Sequence, residues 1–454
     1  MREINLSADE LVSALLNLAD ERNVCILDSC GVNHLNSHLL IAGINPVEIL
    51  EISNENPFDT LKIFDEKLSQ TNLACIFTLS YDFGLKLENI KPRKKEFSAF
   101  DEPDLFLAFF DCLVVHDYNL HKSYLVGNEN KFDEIEKVLL NVCAKRTNIK
   151  QNRVAQVSSN FTRENYIAAI EQIKEYIRQG DTYQANLTQQ LRAELPKNLT
   201  SQEIFHRLRK NHPAPFAAFL KRENDFVVSI SPERFVKVQN QTIETSPIKG
   251  TRPRGNTPAE DVYLRKELLN SAKDRAENVM IVDLLRNDLG RICRFGSVEV
   301  EKLCDLEEHP TLFHLVSTIK GELRENLNFS DIIRAVFPCG SITGAPKIRT
   351  MQIIDELETA PRGLSMGAIG FYIPSPKSES KSDFGLWTLD FRIKDLDSIF
   401  DLSVAIRTMV IKDNEAIFNV GGGIVIDSVP EKEYEESLLK AKALINSIGG
   451  KFNM

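Results

Sequence analysis

Tryptophan occurs once in the 454-residue chain, and its eight cysteines include no C-x-x-C pair. They stand at 25, 30, 75, 112, 143, 293, 304 and 339, a scatter that argues against a disulfide framework and against a zinc site. They read as reduced core thiols of a cytoplasmic protein. Histidine is equally sparse, at eight residues, with neither H-E-x-x-H nor any zinc spacing. No apolar run reaches the length of a membrane span. The opening MREINLSADELVSALL lacks a basic stretch followed by an apolar core, which argues against a secretory signal. Positive charge is in deficit: 55 Lys and Arg against 65 Asp and Glu give a net −10. That balance excludes a general nucleic-acid binder and leaves room for local basic pockets around a small anion.

Short apolar runs dominate the first third. VCILD (24–28), LACIFTLSY (73–81) and LFLAFFDCLVVHDY (105–118) read as strands. The polar stretch 145–160 is the expected boundary between an N-terminal segment, 1–150, and a larger unit, 155–454. Apolar residues at 166, 167, 170, 173 and 177 predict a helix over 162–178, with Gly180 at its end. Thr257-Pro258-Ala259-Glu260 and Ser271-Ala272-Lys273-Asp274 predict two helix starts, and Ser428-Val429-Pro430-Glu431 a third. Strand-like runs lie at 225–230, 235–240, 297–303, 402–412 and 416–420. This irregular alternation predicts α+β, with large antiparallel sheets packed together and helices outside.

Several segments carry candidate chemistry. The helix expected over 271–290 holds Asp274, Glu277, Asp283 and Asp288, and ion pairs on a solvated face would explain most of them. Glu433, Glu436 and Lys440 fall on one face of the helix after Ser428. Two such carboxylates suit a hard cation only if a third joins them, and Glu277 is the natural candidate. Three glycines at 421–423 allow close approach of backbone to a ligand, or simply a bulge. SITGAPKIRTM (341–351) brings Pro346 and Lys347 into a helix start, where anions bind. Lys249 is a candidate nucleophile, with Ile248 as its apolar contact and Arg252, Arg254 and a nearby magnesium to supply positive charge, and Glu233 a candidate general acid if desolvated. Nothing matches a nucleotide fingerprint.

Taken together, SPERF (231–235), PIKGTRPRG (247–255), DRAENVMIVDLLRNDLGRI (274–292), HLVSTIKGEL, FPCGSITGAPKIRTMQIIDELE, GAIGFY, VAIRT, GGGIV and EKEYEESLLKAKA resemble the chorismate-utilising enzymes. That family contains anthranilate synthase component I, aminodeoxychorismate synthase component I, and the isochorismate and salicylate synthases. The motifs run in family order from about 160 to 447, and LDSCG (27–31) and YDFG (81–84) resemble its N-terminal segment. The resemblance implies an anthranilate synthase component I-like fold and Mg2+ as cofactor. By position it implies Glu277, Glu436 and nearby Glu433 as metal ligands, and Arg407, Gly421, Gly422 and Lys440 around the substrate carboxylates. His314 and Thr343 match active-site contacts, and Glu233 the acid that helps the ring hydroxyl leave.

Two positions separate family members. The isochorismate and salicylate synthases place a water-activating lysine where this chain has Gln184. Anthranilate synthases resemble P-I-A-G-T where this chain reads Pro247-Ile248-Lys249-Gly250-Thr251, the form of the aminodeoxychorismate synthases. The resemblance therefore implies amination of chorismate at C4 through Lys249, a step in folate synthesis, with anthranilate formation as the alternative. It also implies ammonia from a separate glutamine amidotransferase subunit. The chain departs from the pattern at Phe371, where many relatives have tyrosine, and in a longer 374–386 loop. NHPAPF (211–216) resembles part of the family's tryptophan pocket.

Overall fold

The computed structural model describes residues 1–97, 100–143, 155–308, 312–374 and 398–452. Among them lie a 13-stranded and a 10-stranded sheet, antiparallel throughout except where Lys451–Phe452 runs parallel to Gln156–Ser159. Helices flank both, as the α+β pattern predicts. The long 374–386 loop and most of the 145–160 boundary fall outside the described residues. Both sheets draw strands from both sides of that boundary. Val24–Asp28 pairs with Phe216–Lys221 in the larger sheet, and Ala74–Leu79 pairs with Ala368–Ile373 in the smaller. Apolar side chains of the two inner faces, including Ile76, Phe106 and Phe110 against Ile41, Val115 and Ala218, close the core between them. Each such buried isoleucine, valine or phenylalanine contributes about 1.5–3 kcal/mol.

Two expected single strands are each two strands in different sheets. The run 105–118 breaks at Asp111. Leu105–Phe110 belongs to the smaller sheet and Cys112–Asp117 to the larger. The run 402–412 breaks between Val404 and Thr408, so that Ile399–Val404 and Thr408–Lys412 also part company. Arg407 sits in that break with φ +49. Hydropathy runs straight through both breaks, so period alone could not find them.

The expected helices form with their caps. Thr162 accepts from the Asn165 N–H and Ser271 from that of Asp274, opening Arg163–Arg178 and Ala272–Gly290. The third differs: Val429 precedes Pro430–Ser447, and the Ser428 hydroxyl donates to Glu433 instead.

Candidate active site

Strand Ile248–Pro253 pairs with Leu312–Glu322 and bulges between Lys249 and Thr251. Gly250 lies at the bulge with φ +80, a left-handed conformation that favours glycine. Beyond the bulge, Thr251 Oγ1 and His314 Nδ1 lie 2.9 Å apart across the strands. The Lys249 ammonium donates to the Ser341 carbonyl at 3.4 Å. Its charge also acts on three carboxylates, Glu233, Glu277 and Glu436. One strand thus places an amine at the centre of groups from four separate segments.

Glu233 is 5% exposed, and its Oε1 has no hydrogen-bond partner among the described residues. Burial pushes its carboxyl up to about 7, against the opposing pull of the Ser341 hydroxyl, the Lys249 charge and the Ile248 N–H. Ser341 therefore touches both Glu233 and Lys249. Helix Ala272–Gly290 supplies Glu277, which burial pushes up from the ordinary carboxylate value against the charges of Lys249 and Lys273. Helix Pro430–Ser447 supplies the others. Burial disfavours the Glu436 carboxylate, but Lys440 at 2.9 Å, with Lys273 and Lys249, outweighs it and holds the group low. Lys440 also donates to the Gly421 carbonyl at 3.1 Å. A Cβ on Gly422 would lie 3.3 Å from the Lys440 ammonium and 3.8 Å from Glu433 Oε2, so the bare backbone lets these groups approach.

The carboxylates bear on a possible cation site. Lys273 Nζ lies 3.5 Å from Glu433 Oε1 and 3.9 Å from Glu277 Oε1, one positive charge shared by two helices. The donors are hard oxygens, as magnesium requires. Among the described residues, no three Asp, Glu, His or Cys are drawn together tightly enough to enclose an ion. The Lys273 ammonium bridges Glu277 and Glu433, and the oxygens of these carboxylates have the chemistry that magnesium takes.

Arg407 is strongly desolvated, which pulls its guanidinium below the ordinary arginine value, and no carboxylate among the described residues pairs with it. A half-buried guanidinium with no carboxylate beside it favours an anionic ligand. Thr343 closes the turn after Gly340–Ile342, its hydroxyl donating to the Cys339 carbonyl at 3.1 Å. Gln184 is fully buried with both amide atoms unpartnered among the described residues, and it lies against Gly423.

Other sequence expectations change. Arg252 is bound to Glu267 and Asp274, and Arg254 to Asp261, so neither brings uncompensated charge to Lys249. Lys347 is not an anion site: its ammonium is buried against Asp288 at 2.5 Å and the Val336 carbonyl at 3.0 Å. Phe371 lines a cavity of about 110 Å³ with Pro215, Phe216, Arg234, Lys237 and Asp401, which none of the candidate site residues line.

Residues 23–380 and 394–446 match the family described as chorismate binding enzyme. The chain belongs to the chorismate binding enzyme family. Aminodeoxychorismate synthase component 1 of Bacillus subtilis strain 168 is 36% identical over 377 residues, 81% of this chain and 75% of that protein. Anthranilate synthase component 1 of Aquifex aeolicus strain VF5 is 37% identical over 366 residues, 76% of this chain and 68% of that protein. In three dimensions the crystal structure of anthranilate synthase component I from Streptococcus pneumoniae TIGR4 superposes with a TM-score of 0.73 at 26% identity, covering 91% of this chain and 93% of that one. Overall identity thus leaves the reaction of this chorismate binding enzyme undivided between two products.

Sequence reasoning missed three groups in this chorismate binding enzyme. Ser341 lay inside a noted motif, but its link to Glu233 and Lys249 depends on a segment 92 residues away. Lys273 stood out only as part of a helix start. Glu358 and Arg362 are an i,i+4 pair whose role gave no signal, because the backbone groups they hold are remote in sequence. No helix among the described residues is long and apolar enough to cross a membrane.

Proposed function

We propose that this enzyme aminates chorismate at C4, giving 4-amino-4-deoxychorismate, a precursor of para-aminobenzoate and folate. The observation that carries the reading is Lys249, an amine set among Glu233, Glu277 and Glu436. In the first step the Lys249 ammonium gives a proton to solvent, and the resulting amine forms a bond to ring C2. The ring double bonds shift, and the C4–oxygen bond breaks. Protonated Glu233 gives its proton to the departing hydroxyl, which leaves as water. In the second step ammonia bonds to C4, the double bonds shift back, and the C2–Nζ bond breaks to free Lys249. The surplus ammonium proton returns to Glu233 and Lys249 regains one from solvent, which restores the starting state. Arg407 and the backbone at Gly421 and Gly422 bind the substrate carboxylates, with Lys440 beside them. His314 and Thr343 orient the ring. Gln184 cannot act as a base, which disfavours water as the nucleophile. Trapping a Lys249–chorismate adduct with ammonia withheld, read by peptide mass spectrometry, tests this route. An unmodified Lys249 after active enzyme is incubated with chorismate and magnesium in the absence of ammonia contradicts it.

Glu277, Glu433 and Glu436 would hold magnesium, and bound magnesium supplies positive charge for the ring carboxylate. Since Lys273 shares two of those carboxylates, Lys273→Met is expected to tighten magnesium binding several-fold and to lower the metal-free melting midpoint. Calorimetry and thermal melts check both. Unchanged affinity and midpoint would show that Lys273 does not compete with the ion.

Ammonia is expected from a separate glutamine amidotransferase subunit. Cys25, Cys75, Cys112 and Cys339 are poor nucleophiles, because they are buried and burial raises their thiols. The purified chain should therefore make product with ammonium salts and none with glutamine. Glutamine-dependent product from the chain alone would refute the separate source.

A further inference from the structure

Strand Gln184–Glu194 has an interrupted outer edge. Gly344–Ala345 pairs with Gln184 and Ala185, and Gln156–Ser159 pairs with Leu191 to Ala193. Between them no strand among the described residues covers the edge, and its polar backbone groups need other partners. The Asn186 N–H donates to the Thr343 carbonyl at 2.8 Å, and the Thr188 N–H to Glu358 Oε1 at 2.7 Å. The Gln190 N–H donates to the Asn160 side chain at 2.7 Å. Arg362 donates to the Asn186 carbonyl at 2.6 Å. A carboxylate and a guanidinium thus stand in for the missing strand.

The pair is built for orientation. Arg362 and Glu358 are 3% and 4% exposed. They meet in a fork at 2.9 Å and 2.7 Å, and the guanidinium packs over the Tyr81 ring with 4.4 Å to its centroid. Arg362 Nη1 also donates to the Ile342 carbonyl at 3.0 Å. One planar group therefore fixes the residue before Thr343 and the residue whose N–H holds Thr343. On its other edge the same strand pairs Leu187 with Gly422 and Thr188 with Gly421. The register between the Thr343 turn and the glycine strand passes through Arg362.

We infer that Arg362, oriented by Glu358, is a positioning residue for chorismate binding: it sets the Thr343 turn against the Gly421–Gly422 strand. The inference rests on Thr343 and the glycines as substrate contacts. Lysine cannot replace it, because three acceptors in different directions need the rigid fork. A buried pair that served stability alone would change the melting midpoint and leave the folded protein's affinity intact.

The test measures chorismate binding by calorimetry, with melting midpoints alongside, for Arg362→Lys, Thr343→Val and the double variant. Arg362→Lys is expected to weaken binding about tenfold, as misplaced contacts do. Thr343→Val should weaken it as well, and the double variant should bind little worse than the weaker single one, since both changes remove the same contact. Multiplying effects, an unchanged affinity in Arg362→Lys, or an unchanged affinity in Thr343→Val would each overturn the inference. If Arg362→Lys fails to fold, Glu358→Gln carries the same comparison, because it weakens the fork and keeps the acceptor for the Thr188 N–H. Binding does not depend on which product forms, so a wrong product assignment leaves this test standing.

Discussion

Lys249→Met is expected to lower aminodeoxychorismate formation by roughly 10³-fold or more, as loss of a covalent nucleophile does. The fold should survive, because Lys249 lies half-exposed on a sheet-edge strand and its ammonium makes one long hydrogen bond to the protein, at 3.4 Å to the Ser341 carbonyl. Methionine keeps the length and removes the amine. With C2 no longer taken by Nζ, ammonia can attack there, so a trace of anthranilate is the expected side product. Chromatography with mass detection on both products checks this. Aminodeoxychorismate at the wild-type rate would show that Lys249 is neither nucleophile nor selector.

Glu233→Gln is expected to separate activity from stability. Turnover should fall about 10²- to 10⁴-fold, the usual contribution of a general acid. Stability should rise at alkaline pH. The sign follows from the carboxyl being lifted from 4.5 to about 7 in the folded protein. Its contribution is full below the unfolded value, declines as pH rises, and is lost above about 7. The gap corresponds to about 3 kcal/mol. Glutamine stays neutral throughout, so the variant should melt higher than wild type at pH 8 and show a flatter profile between pH 4.5 and 7. In the wild type, turnover should decline as pH rises through about 7 and the acid is lost. An identical pH–rate profile in the variant would remove Glu233 from the mechanism.

The segments that carry the site were legible because each is local. Pro247 to Thr251, the three glycines and the carboxylates of two helices are short patterns whose residue types already suit a dianion and a cation. Their convergence was legible only through resemblance, since helices Ala272–Gly290 and Pro430–Ser447 are far apart in sequence. What stayed hidden is non-local. Arg407 looked like the middle of one strand because apolar residues flank it, while the fold breaks there and passes the chain between sheets. Asp111 hides the same crossing earlier in the chain. Arg252 and Arg254 looked like free charge until their carboxylate partners on the two following helices were seen. The surrogate edge made by Glu358 and Arg362 reaches backbone 170 and 176 residues away.

Relatives of similar identity make either of two products, so the decisive measurement is the product itself. The wild-type chain is incubated with chorismate, magnesium and an ammonium salt, and the product is identified by mass spectrometry and chromatography against standards. Amination through Lys249 predicts 4-amino-4-deoxychorismate with the enolpyruvyl group retained. Anthranilate, with pyruvate released, would contradict it.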